Sequence, residues 1–135
     1  MSGAKMSVQS DLDMAYKKKV VGLTEAVVRK TAFDIDAELV QQTPVDTGRA
    51  RSNWLPSINT PRNDTVEAGA KPDILPVISS YKIDETICIA NNLPYIERLN
   101  NGWSQQAPTP SWVEATVAKY RSQMKRAIKA ISNGL

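Results

Sequence analysis

Histidine is absent from this chain, and cysteine occurs once, at position 88. Without an imidazole or a second thiol there is no Ser-His-Asp or Cys-His nucleophile pair, no Cys/His zinc site and no intrachain disulfide. Phenylalanine also occurs once. No stretch approaches the ~20 consecutive apolar residues that cross a bilayer. Residues 1–20 are polar and lysine-rich and lack the apolar centre of a signal peptide, so the expected product is soluble and made in the cytoplasm. No G-x-x-x-x-G-K-[ST], G-x-G-x-x-G or G-x-S-x-G run is present, which removes the familiar nucleotide and acyl-transfer signatures.

What remains is ordinary for a globular protein: 135 residues, 41% hydrophobic and 23% charged, with a net charge of +3. That length suits one domain with a core of its own, needing neither metal nor disulfide support. The positive excess is local. From Trp112 to Leu135 the basic residues Lys119, Arg121, Lys125, Arg126 and Lys129 stand against Glu114 alone. Such a run is either a solvated helix face or a contact for a polyanion such as DNA.

Residues 1–10 read as a flexible leader, and 11–135 as a single α+β domain. The segment 11–42 has no proline and one glycine, and Leu12, Tyr16, Val20, Leu23 and Val27 recur at helical spacing. Val28, Ala32, Ile35 and Leu39 continue the pattern on a face rotated by roughly 120°. Two stripes on one segment imply a kink near Gly22, two helices, or one long helix that packs partly on its own sheet and partly on a neighbouring subunit. Thr43-Pro44 ends it. Asp46 or Thr47 can cap a short helix whose first turn holds Gly48, Arg49 and Arg51.

The stretch 54–58 reads as a strand weakened by Pro56, 59–65 as a turn or a mobile loop, and 74–79 as a single helical turn capped by Asp73. The clearest strand expected is 82–90, with Ile83, Ile87 and Ile89 on one face and Cys88, a small apolar filler, on the other. Pro94 suits the first position of a helix running to Asn101, stopped by a left-handed Gly102. Residues 103–110 form a proline-containing connector. Ser111 and Glu114 have the spacing of a capping box for a last helix. Its apolar positions Val113, Val117, Tyr120, Met124, Ile128 and Ile131 share one side, with the five basic residues opposite. The expected fold is therefore a small antiparallel sheet packed against two long helices, N-terminal and C-terminal, with a short helix after the TPVDTGR turn.

For catalysis the only remaining grouping is Asp34, Asp36 and Glu38, whose spacing suits solvation better than a shared proton or a metal. No enzyme and no cofactor or metal are expected. Trp54, Trp103 and Trp112 are either interface anchors or plugs that close the core beneath the proline-rich connector.

Three runs resemble a known family. Thr43-Pro-Val-Asp-Thr-Gly-Arg49 with Arg51-Ser-Asn-Trp54, then Asn92-Leu-Pro-Tyr95 with Glu97, Leu99, Asn100 and Gly102, then Gln106-Ala-Pro108 before Trp112-Val113, are similar in order to motifs of the tail-completion or tail-to-head joining proteins of tailed bacteriophages. They cover about Phe33 to Val117. The second motif departs from the family in reading Tyr95-Ile96 in place of Tyr-Ala.

The resemblance implies a structural protein of the virion neck, present as a ring, hexameric by family relation. Its partners would be its own copies, head connector or adaptor proteins and tail tube or terminator proteins, with no membrane. DNA in the channel is a further partner if the basic helix lines it. Pro44, Asp46, Thr47, Gly48, Arg49, Trp54, Tyr95, Glu97, Gly102, Trp103, Pro108 and Trp112 would be the structural or interface positions, with Asp46 and Arg49 close enough to pair. The alternative is a small DNA-binding accessory protein acting through its C-terminal helix.

Overall fold

The computed structural model describes residues 2–45, 48–102 and 110–134, with side chains from residue 10 onward. The chain forms α1 (Ser2–Gln42), α2 (Arg49–Ser52), β1 (Leu55–Ile58), α3 (Leu75–Ser79), β2 (Ile87–Ala90), α4 (Ile96–Asn100) and α5 (Trp112–Gly134). The α+β arrangement expected from the sequence is present, with two long helices and a two-stranded antiparallel sheet. Trp103 and Pro108 lie outside the described residues, as does the body of the connector.

α1 is one unbroken helix of 41 residues, about 60 Å long at 1.5 Å per residue. It starts at Ser2, so the segment expected as a leader is helical and the expected start at Asp11 is corrected. Gly22 interrupts nothing, because an isolated glycine costs only about 1 kcal/mol within a helix. The two apolar stripes have different fates. Ala32 and Leu39 are buried, with Ile35 packed against the same core, whereas Leu12, Tyr16 and Leu23 are 61%, 47% and 40% exposed.

β1 and β2 pair in the register Leu55 with Ala90 and Ile58 with Ile87. The strand expected over 82–90 is shortened to its last four residues. Asp84 has φ 75°, a left-handed turn that a ladder cannot contain, and Ile83 is consequently exposed. Asn59, also left-handed at φ 67°, continues the pairing one step past Ile58 and Ile87 by donating its N–H to the Thr86 carbonyl and accepting the Thr86 N–H on Oδ1. Cys88 sits half-buried opposite Ser57.

The core sits where α1, the sheet and α5 meet. Leu39, Trp54 and Trp112 form its centre, with Ile35, Val40, Ile89, Ile96 and Val113 packed around them. The Trp54 and Trp112 rings meet edge to face, with centroids 6.2 Å apart at 76°. Of the two roles open to these indoles, both take the one in the core, and neither is an exposed anchor.

α4 begins at Ile96, two residues later than expected, with Pro94 in the preceding turn. Asp73 does not cap α3 from the N-cap position, which is Ile74, although its carboxylate accepts the Leu75 N–H at 3.3 Å.

Candidate functional site

The first motif builds a corner between α1 and the sheet. Thr43 is fully buried, and its hydroxyl donates to the Leu39 carbonyl at 2.5 Å while accepting from Trp54 Nε1 at 2.8 Å. Arg51 reaches back to the end of α1, donating from Nε to the Thr43 carbonyl at 2.8 Å and from Nη2 to the Gln41 carbonyl at 3.0 Å. A cation bonded to the last carbonyls of a helix satisfies orphan acceptors and complements the helix dipole. Asn53, fully buried, donates to the Arg49 and Val66 carbonyls and accepts the Val66 N–H. Ser52 accepts the Gly69 N–H at 3.0 Å. The end of α1 and the loop through Val66 and Gly69 are thereby fastened to one four-residue helix and its C-cap.

The N-cap position of α2 is Gly48, with φ 72°, and the expected cap by Asp46 or Thr47 lies outside the described residues. So does the expected pairing of Asp46 with Arg49. Pro44 is buried and Arg49 exposed. Arg51 supplies a guanidinium that holds the turn. Replacing Arg51 with methionine is expected to lower unfolding free energy by about 1–3 kcal/mol, since two helix-end carbonyls lose a charged donor. Urea denaturation followed by tryptophan fluorescence measures it, and an unchanged midpoint would contradict the assignment.

Asn100 of the second motif makes a matching joint at the start of α5, while Gln106-Ala-Pro108 of the third lies outside the described residues. Asn100, the last residue of α4, accepts the Ser111 N–H on its carbonyl at 2.6 Å and the Val113 N–H on Oδ1 at 2.9 Å. Its Nδ2 donates to both Glu114 carboxylate oxygens at 2.9 Å. The expected capping box is thus replaced by a cap in which Asn100 supplies the acceptor and Glu114 steadies it. Ser111 itself is left-handed at φ 64°. Gly102 has the expected left-handed φ, 84°, and a Cβ there would stand 3.1 Å from the Pro110 ring. Leu93 is buried, Tyr95 half-buried at the N-cap of α4, and Glu97 exposed. Asn100→Ala is expected to destabilise by about 1–2 kcal/mol, the range for loss of a helix cap, measurable as a drop in Tm.

The carboxylates on α1 separate. Asp34 pairs with Lys30 at 2.6 Å and Glu38 with Lys119 at 2.5 Å. The Lys119 hydrogen bond holds Glu38 below the usual carboxylate range, and Glu38 in turn raises the lysine. Asp36 is not solvated as expected: it is 4% exposed, its Oδ1 has no hydrogen-bond partner, and burial pushes its pKa up to about 6. It lies in the wall of a cavity of about 380 Å³ beside Val40, Arg51, Trp54 and Lys71. Asp36 stands four residues after Ala32 and three before Leu39, so helical spacing alone places it on the buried face. That signal was present in the sequence. Among the described residues no group of carboxylates and thiols could hold a metal ion, and no helix is long and apolar enough to cross a membrane.

α5 is seated about a quarter turn away from its apolar stripe. Trp112 and Thr116 are buried, and Gln42 donates to the Thr116 hydroxyl at 3.1 Å. Val113, Val117 and Met124 are only half-covered and form one wall of a groove of about 320 Å³, whose other side is Ile35 of α1 with Ile87 and Ile89 of β2. Arg121 lines the same groove and Lys119 reaches α1, so the five basic residues do not all lie opposite the apolar ones. Arg121, Lys125, Arg126 and Lys129 are exposed. Among the described residues of the three motifs, Thr43, Arg51, Ser52, Asn53, Trp54, Asn100 and Trp112 hold corners of the fold, while exposed or half-covered apolar side chains lie on the leading half of α1 and in the α5 groove. In comparisons with protein-family models, curated proteins and solved structures, the chain matches none.

Proposed function

We propose that this chain is a structural subunit of a tailed-phage neck, one of about six copies in a ring that completes the head-proximal end of the tail and joins it to the head connector. It is made in the host cytoplasm, resides in the virion neck and performs no reaction. The motif order from Thr43 to Val113 supports the family reading. The observation that carries assembly is the leading half of α1, which keeps Leu12, Tyr16 and Leu23 exposed on one face of a helix far longer than its own core requires. A large exposed apolar face marks an interaction surface. A ring needs two unlike patches on each subunit, and the half-covered groove beside α5 is unlike the ridge on α1.

Native mass spectrometry of the purified chain, with and without isolated tails, tests the reading. Closed oligomers or tail-bound copies are expected, and a monomer indifferent to tails at tens of micromolar would defeat it. The exposed Lys125, Arg126 and Lys129 favour a second reading, a DNA-binding accessory protein. Changing all three to glutamine is expected to leave assembly intact. If that variant instead loses duplex binding that fell steeply with salt in the parent, and the parent never assembles, the second reading replaces the first.

A further inference from the structure

We infer that the cavity between α1, α2 and the loop leading into α3 binds a primary ammonium group carried on a short apolar stem, with the Asp36 carboxylate as its counter-ion. The inference is independent of the neck reading and starts from a buried charge with nothing beside it. Asp36 is 4% exposed, and its Oδ1 receives no hydrogen bond. Burial raises its pKa to about 6, and neither a hydrogen bond nor a neighbouring charge acts against that burial. At neutral pH the side chain is therefore mostly ionised, out of water and unpaired. Buried carboxylates escape that state by pairing or by holding a cation.

The space beside the carboxylate suits an organic cation. The cavity measures about 380 Å³, within the ~300–1,000 Å³ of small-ligand sites. Val40, Trp54, Pro72 and Ile74 give it apolar walls, and apolar sides with one charged group are what orient a small ligand. A metal ion fits poorly, because hard cations take about six oxygen ligands and no group of three carboxylates or thiols forms among the described residues. Two cations border the same cavity, and neither serves Asp36, whose pKa registers burial and no charge. Arg51 commits Nε and Nη2 to the Thr43 and Gln41 carbonyls at the end of α1. Lys71 is exposed, so water screens its charge. The neighbouring carboxylates on α1 are already paired, Asp34 with Lys30 and Glu38 with Lys119. Of the three, Asp36 alone is left for a ligand.

The probe is n-butylammonium chloride, with n-butanol as the uncharged control of the same length and sodium chloride as the ionic-strength control. The Asp36 carboxyl of the full chain is followed by carbon NMR from about pH 4 to pH 8, its signal assigned by its loss in Asp36→Asn. In excess butylammonium its pKa is expected to fall by at least about one unit, which is tenfold tighter binding to the ionised form, and the amide signals of Val40 and Ala70 are expected to shift. Neither control should reproduce this. Asp36→Asn, which keeps the volume, should abolish the amide shifts, and Lys71→Met should retain them. No change in pKa, an equal change with butanol or sodium chloride, or amide shifts that survive Asp36→Asn would overturn the inference. So would an ordinary carboxylate pKa in the parent that rises in Lys71→Met, since Lys71 itself would then fill the cavity. Among supporting results, a pKa that falls as protein concentration rises, with no amine added, places the ammonium on a lysine of another copy. A pKa indifferent to protein concentration and responsive to butylammonium identifies a free amine as the source.

Discussion

Trp112→Ala is expected to lower the unfolding free energy by about 3–5 kcal/mol, the range for removing a large buried aromatic. The indole is 2% exposed and forms the core centre with Leu39 and Trp54. Three losses combine in the variant: the buried area, the edge-to-face contact with Trp54 at 6.2 Å, and the hydrogen bond from Nε1 to the Leu99 carbonyl at 3.2 Å. The remaining α5 surface cannot compensate, since Val113 and Val117 are only half-covered. A domain of this size has about 5–15 kcal/mol in total, so the variant should lose a large fraction of its stability. Trp112→Phe keeps most of the area and loses the donor, and should cost about 1–2 kcal/mol. Urea unfolding by circular dichroism separates the two variants. A loss below 1 kcal/mol for Trp112→Ala would mean that α5 is not anchored through this residue.

That anchoring explains why the last helix was legible in one respect and not another. Its extent follows from the proline before it and the helical spacing within it. Which face is buried does not follow, because the apolar stripe from Val113 to Ile131 is a stronger periodic signal than Trp112 and Thr116, the residues that actually turn inward. The same limit appears in β2. Ile83, Ile87 and Ile89 alternate correctly, yet the ladder begins only at Ile87, since alternation says nothing of the left-handed turn at Asp84.

The joints were partly legible. Proline after Thr43 marked the end of α1, but the bond from Arg51 back to that end depends on α2 folding over it. Likewise Glu114 had capping-box spacing, while the residue that caps α5, Asn100, comes from another helix. Of the candidate interface, the ridge on α1 could be read as the first of two stripes. The groove could not, because three elements distant in sequence form it.

At pH 8, Asp36→Asn is expected to stabilise the protein by about 1–3 kcal/mol, and near pH 4 to change it little. Burial raises the carboxyl from 3.8 to about 6, so the folded chain prefers it protonated. Between those two values the folded state binds more protons than the unfolded one, and stability therefore falls as pH rises through the window and levels off above it. A shift of about two units corresponds to roughly 3 kcal/mol, the upper bound of the gain. Asparagine occupies nearly the same volume without the charge that burial penalises. Glu38 titrates in the opposite sense, because its bond to Lys119 lowers its pKa and its contribution is lost as the solution becomes acid. The informative quantity is therefore the difference between variant and parent at each pH, in which Glu38 cancels. A difference that is flat from pH 4 to pH 8 would show that Asp36 is hydrated in solution. A difference that grows across about pH 4–6 and then holds would identify Asp36 as a built-in cost to the isolated subunit at neutral pH.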